Sequence, residues 1–317
     1  MENILFLSSF VFIPLLMLLG LWLSRNINQV RGVMVVCSTA LLILAAYLTI
    51  RFLGDRAAGA DAEMLYTGAL TWFEPLHIKY SVGVDGISVA MLLLSAIIVF
   101  TGTFASWQLK PLTKEYFLWF TLLSMGVFGF FISVDMFAMF MFYEIALIPM
   151  YLLIGVWGSG KKEYAAMKLT LMLMGASAFL MCGIFGIFYG AGGQTMNIVD
   201  IANHTGGAHA IDFTQQCIWF PMTFVGFGVL GALFPFHTWS PDGHASSPRS
   251  PPDRRFHAPC WCIDETGRLW LLPHCHVPHA RSRQRARLDL LDSHWYLRCL
   301  RCLLRLRSNR SQVHQCL

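Results

Sequence analysis

Apolar residues run in long unbroken stretches through roughly the first three-quarters of the chain, and then stop. Stretches at 3–24, 32–53, 85–107, 115–133, 135–158, 164–190 and 217–236 each hold about 20 residues. That is enough to cross roughly 30 Å of hydrocarbon as a helix. Between the second and third, MLYTGALTWFEPLHIKYSVGVDGIS alternates apolar and polar positions and is broken by Pro75, Gly83 and Gly86. That alternation predicts a short hairpin on the membrane surface. The seventh stretch ends GFGVLGALFPFHTW, and its glycines with Pro235 predict a broken helix. Irregular backbone at membrane depth survives only where protein packs around it or where it lines a cavity. HTWSPDGH, from His237, reads as a tight loop. The pattern predicts an all-α integral membrane protein of about seven transmembrane helices.

Composition sharpens this picture. The chain is 56% hydrophobic and 13% charged, with a mean hydropathy of +0.56, which excludes a soluble domain. The first stretch lacks a basic flank and is longer than a signal-peptide core, so it reads as a retained helix. The charges fall into two populations. Residues 1–244 carry 10 Lys/Arg against 13 Asp/Glu; residues 245–317 carry 13 Arg, no Lys and 5 Asp/Glu. The basic character of the chain therefore belongs to its tail. Within the apolar part, the odd loops hold Arg25, Arg31, Lys110, Lys114, Lys161 and Lys162, and the even loops only Arg51, Arg56 and Lys79. By the positive-inside rule the odd loops face the cytoplasm and the N-terminus lies outside.

Some residues are out of place in a bilayer. Glu144 sits near the middle of the fifth stretch, where an acidic side chain costs on the order of 3 kcal/mol and normally faces a partner or a wet cavity. Desolvation favours its neutral form and a nearby cation its charged form, so a carboxyl balanced between them takes and releases protons. A structural glutamate bonded to a neighbouring helix is the alternative. Pro149, five residues on, frees the carbonyl of Ile145, either as an ordinary kink or as a water site. Lys168, in the first turns of the sixth stretch, is expected to snorkel to the headgroups, with a charge relay as the alternative. Asp135 opens the fifth stretch as an N-cap. His237, after the broken helix, is interfacial or carries protons.

SVDMFAMFMFYEIALIPMYLLIGVWG, then KKEYAAMKLTLMLMG, then FPFHTWSPDGH, with GVDGIS before the third stretch, resemble subunit M of bacterial NADH-quinone oxidoreductase, complex I, over residues 1–244. The resemblance implies the first part of an antiporter-like, inverted-repeat fold, one of several proton-translocating subunits of a membrane arm in a bacterial inner membrane. It implies other membrane-arm subunits and the lipid bilayer as partners. It implies a non-catalytic transport subunit of the oxidoreductase that binds no cofactor, metal or nucleic acid. Glu144 matches the family's pumping glutamate; His237, Trp239, Pro241, Asp242 and His244 match its HTWxPDxH loop. The family's seventh-helix lysine is replaced here by Leu230, a departure that leaves the charge partner of Glu144 open. Subunits of multisubunit cation/proton antiporters or membrane-bound hydrogenases share these motifs and are the alternative.

The tail, 245–317, has no helical or strand period. Back-translated with permitted codons and shifted by one base, PDRRFHAPCWC reads PTAVSMLHAGV, the way the family continues, and the agreement extends along the rest of the tail. The tail is expected to be an out-of-frame translation beginning between Ala245 and Pro252, and the literal chain to be inactive. Taken at face value, Cys260, Cys262, His274, Cys275, His276, His279, Cys299 and Cys302 suggest zinc and the arginines an anion-binding surface. Those spacings match no closed four-ligand pattern.

Overall fold

In the computed structural model, residues 2–255 are described, apart from short interruptions at 60–61, 63, 75–76, 108–111, 194, 205–212, 247–248 and 251–253. The chain order is α1 (Glu2–Leu23), α2 (Ile27–Ala57), β1 (Leu65–Phe73), β2 (Ile78–Val84), α3 (Gly86–Ala105), α4 (Thr113–Ile132), α5 (Met136–Trp157) and α6 (Lys162–Gly190). There follow α7 (Ile198–His204), α8 (Phe213–Leu230), α9 (Trp239–Ala245) and two two-residue strands, β3 (Arg249–Ser250) and β4 (Arg254–Arg255). All of these lie in one unit of the chain. The tail beyond residue 255, with its cysteines and histidines, lies outside the described residues.

Among the described residues, α1 to α6 are the six helices long and apolar enough to cross a membrane. The seventh stretch, read as 217–236, is corrected. Its helix stops at Leu230, and its apolar part, Ile218–Leu230, is shorter than a span. The end is a Schellman turn: Leu233 N–H donates to Gly228 O at 2.7 Å and Ala232 N–H to Val229 O at 3.2 Å. Ala232 takes the left-handed position, φ 50°, that glycine usually fills. The break therefore falls before Pro235, and residues 231–238 run non-helical. The expected HTWSPDGH loop is also corrected, because all of it from Trp239 onward winds into α9. The short helix α7, between α6 and α8, has no counterpart in the reading of apolar runs.

α4 is the centre of the bundle. Its apolar window is 72% buried against 28–39% for α1, α2, α3 and α6, so those helices present their Leu, Ile and Phe outward to lipid. Lipid tails are as apolar as leucine, so the helices are held by close packing. Gly126 of α4 shows how close: a Cβ there would meet the Ala146 Cβ and the Phe142 carbonyl of α5, each at 2.8 Å. Gly183 of α6 meets Thr223 of α8 in the same way.

The alternating segment forms the expected hairpin, with Leu65 opposite Val84, Gly68 opposite Val82 and Thr71 opposite Lys79. β2 is the buried strand and β1 the exposed one. β1 is tied to α2 through the Tyr66 hydroxyl, which donates to Asp55. Burial, and then that bond, push the Tyr66 phenol up to about 12.

Candidate functional site

Both ends of the bundle are stitched together by polar groups. At the hairpin end, Val134 N–H donates to Ser81 O (2.9 Å), Met136 N–H to Met196 O (3.0 Å) and Ile198 N–H to Val134 O (3.2 Å). Asp135 lies at the centre of this junction, fully buried. As N-cap of α5 it accepts from Phe137 N (3.0 Å) and Ala138 N (3.1 Å), and it also accepts from Lys79 N of β2 (3.3 Å). Burial pushes its carboxyl up from the usual range, and the three backbone amides pull against it. One short side chain thus fixes the start of α5 and its register against the hairpin.

Glu144 projects from α5 toward α6. Its Oε1 is buried and has no hydrogen-bond partner among the described residues. On α6, the Ser177 hydroxyl donates to Met174 O at 2.9 Å. Next to Glu144 in α5, the fully enclosed Tyr143 hydroxyl donates to the Leu173 carbonyl of α6 at 3.5 Å. Pro149 is buried further along α5, which continues through it to Trp157.

The other end is built around the break. Lys168 of α6 finds a carboxylate partner within the protein. Its ammonium lies 2.7 Å from Asp242 Oδ2 of α9 and over the Tyr164 ring at 5.8 Å. A carboxylate within reach competes with the headgroups for the same cation. Trp239 is fully buried at the start of α9, and its Nε1 donates to Val229 O at 2.9 Å, back across the break. Thr238 Oγ1 reaches Met172 Sδ of α6 (3.8 Å), and Ser159 N–H donates to Ser246 O (3.0 Å), tying the α5–α6 turn to the end of α9. Leu230 is completely enclosed where α8 stops. Pro235 and His237 are exposed in the non-helical segment, with the Phe234 and His237 rings 5.5 Å apart. Pro241 is exposed in the first turn of α9, and His244 belongs to the same helix.

The structure does not bring Glu144 and Lys168 together. At 1.5 Å and roughly 100° per residue, Lys168 and Ser177 lie roughly 14 Å apart along α6 and roughly half a turn around it. α6 therefore carries Ser177 on one face and turns its cation to α9 from the other.

Residues 133–251, from the α4–α5 turn past α9, match the family model described as NADH:quinone oxidoreductase/Mrp antiporter, TM. Over these residues the chain is similar to that family. It is 30% identical over 246 residues to NAD(P)H-quinone oxidoreductase chain 4 1 of Synechococcus sp. (strain JA-3-3Ab), covering 77% of this chain and 45% of that protein. To NADH-quinone oxidoreductase subunit M of Rickettsia felis it is 28% identical over 247 residues, covering 77% and 49%. The chain thus spans about half the length of these relatives. The antiporter-like fold also appears in the structure of respiratory complex I from Thermus thermophilus. That match has a TM-score of 0.66 at 19% identity and covers 83% of this chain and 50% of that one.

Proposed function

We propose that the in-frame protein is a proton-translocating, non-catalytic membrane-arm subunit of an NADH-quinone oxidoreductase, with Glu144 as the group that takes up and releases the proton. The observation that carries this is a carboxyl deep in a membrane helix, one oxygen of which is buried and unpartnered. A purely structural glutamate would have both oxygens satisfied, since an unmet polar atom in hydrocarbon is costly. Redox energy is supplied by other subunits, and this one carries protons across a bacterial inner membrane with its N-terminus outside. The buried Leu230 leaves Glu144 without the expected lysine on α8, so its charge partner lies outside the described residues or is replaced by hydrogen bonding.

The test is NADH-driven acidification of inverted membrane vesicles from cells carrying the gene restored to frame. Glu144→Gln is expected to abolish acidification while leaving the complex assembled. Acidification at the wild-type rate would overturn the reading. The family also takes in Mrp antiporters; sodium-driven acidification in the absence of NADH would favour that class instead. We also propose that the tail is out of frame, which the end of the family match at residue 251 supports. Resequencing the gene from Trp239 to Gly267 tests this: an unaltered frame, with the C-terminal peptides found by mass spectrometry, overturns it.

A further inference from the structure

We propose that the end of the bundle opposite the hairpin binds an anionic phospholipid, with its phosphate at Arg31 and an acyl chain along the rings of Trp107, Phe104 and Phe100. At this end α1 stops, α2 starts, α3 stops and α4 starts. A hydroxyl bond between Ser106 and Tyr116 (3.0 Å) ties the last two together. Arg31, in the second turn of α2, reaches across to the end of α3. Its Nη2 donates to Trp107 O at 2.7 Å, and its guanidinium carbon lies 5.0 Å from the centre of the Trp107 ring. From there a ladder of rings runs back along α3 into the membrane. Trp107 stacks on Phe104 with centres 6.0 Å apart and planes at 10°, and Phe104 meets Phe100 edge-on at 5.0 Å. Phe104 is 47% exposed, so the middle of the ladder faces outward, where lipid lies.

The positive charge at this end is not neutralised. Residues 22–31 and 104–116 carry Arg25, Arg31, Lys110 and Lys114 against one acid, the exposed Glu115. Lys114 donates to Ser24 O (2.7 Å) and Trp22 O (3.1 Å), beside the exposed Trp22 ring. Carbonyl oxygens satisfy N–H groups but leave the formal charge in place. Among the described residues neither Arg31 nor Lys114 has a carboxylate partner, and Arg31 Nε is buried with no hydrogen-bond partner. A guanidinium carries five N–H donors in a planar fork that matches phosphate oxygens. Cations between helix ends at the membrane surface, with interfacial tryptophans beside them, suit an anionic headgroup. A free phosphate would use the cation alone; a phospholipid uses the cation and the rings together.

The hairpin end of the same helix α2 lacks this combination. There Arg51 lies over the Tyr47 and Tyr66 rings at 6.0 and 5.9 Å. The Tyr66 hydroxyl is bonded to Asp55, one turn on from Arg51, so an acid already stands beside that cation. The proposal is independent of how Glu144 handles protons.

The experiment is a lipid titration of the full 317-residue chain in detergent, read by native mass spectrometry. The probes are phosphatidylglycerol, phosphatidylcholine and inorganic phosphate. Phosphatidylglycerol is expected to bind more tightly than phosphatidylcholine, and inorganic phosphate is expected not to displace it. Arg31→Gln should weaken phosphatidylglycerol binding about fivefold, the effect of one cation near an anionic headgroup, and Arg31→Lys should keep most of it. Phe104→Ala, on the outward face, should weaken it as well, and Arg51→Gln should leave it unchanged. Equal binding of the two lipids overturns the inference, as does wild-type binding in either Arg31→Gln or Phe104→Ala. An equal loss in Arg51→Gln also overturns it, since that marks a general attraction to positive charge. Displacement by inorganic phosphate would make this a plain anion site and overturn the lipid assignment.

Discussion

Lys168 and Asp242 stand 74 positions apart in sequence, and their side chains meet at 2.7 Å, joining α6 to the short helix that follows the broken α8. The lysine side chain is 22% exposed and the aspartate 43%. The pair is therefore half in water, where a single ion pair contributes little to overall stability. Its consequence is local. α9 is only seven residues long, far too short to persist unaided, and it is held by this ion pair, by Trp239 and by the Ser159–Ser246 bond.

Removing either charge should loosen α9 and leave the bundle intact. Lys168→Gln and Asp242→Asn are each expected to speed hydrogen exchange of the Trp239–Ala245 amides, with α4 and α5 unchanged. The double variant should match either single one, because both remove the same contact. Additive effects in the exchange rates would show that the two side chains act separately.

Trp239 should be the stronger anchor. Trp239→Phe keeps most of the ring and deletes the bond to the Val229 carbonyl, a loss of about 1 kcal/mol. Trp239→Ala also empties a fully buried site and should cost about 3–5 kcal/mol. Ala232→Gly, three residues beyond Val229, should act the other way and stabilise by up to about 1 kcal/mol, since glycine adopts a positive φ without a steric penalty. Denaturant or thermal unfolding in detergent checks all three; a stabilising Trp239→Ala would refute the anchoring role.

Close packing sets a third expectation. Gly126→Ala inserts a methyl group where the α5 backbone already sits, so α4 and α5 must part. A loss of about 1–3 kcal/mol is expected. Ala146→Gly in the same chain should restore little of it, because the Phe142 carbonyl still blocks the site. Full rescue by that second change would mean the backbone approach is looser than observed.

Asp135 gives a pH prediction with a definite sign. Burial raises its pKa above the ordinary 3.8. Between the unfolded and the folded value the native state holds more protons than the unfolded chain. Its contribution is therefore most favourable below about 3.8 and falls as pH rises to the folded value. Asp135→Asn keeps a capping oxygen and removes the titration. Unfolding midpoints measured from acid to neutral pH should drop with rising pH in the wild type, and this component should be absent in the variant. Identical pH profiles would sink the argument.

The sequence by itself determined the membrane class, the six spanning helices and the hairpin, because hydrophobic length and period-two alternation are local properties that the bilayer and the pleat read directly. Gly and Pro residues marked the weak seventh helix, and the cap at Asp135 was legible because capping needs one residue and its next three neighbours. Glu144 stood out by its cost in hydrocarbon alone. The helix end at Leu230 was misplaced because a Schellman turn with alanine at the left-handed position carries no glycine signal. α9 was missed because seven residues have no period of their own and fold only against α6 and α8. The tertiary structure alone decided which groups meet. Lys168 meets Asp242, the Tyr143 hydroxyl meets the Leu173 carbonyl, and Trp239 reaches back to Val229. Those partners come from the rotation of one helix against its neighbours, which close packing fixes and no single run of residues encodes.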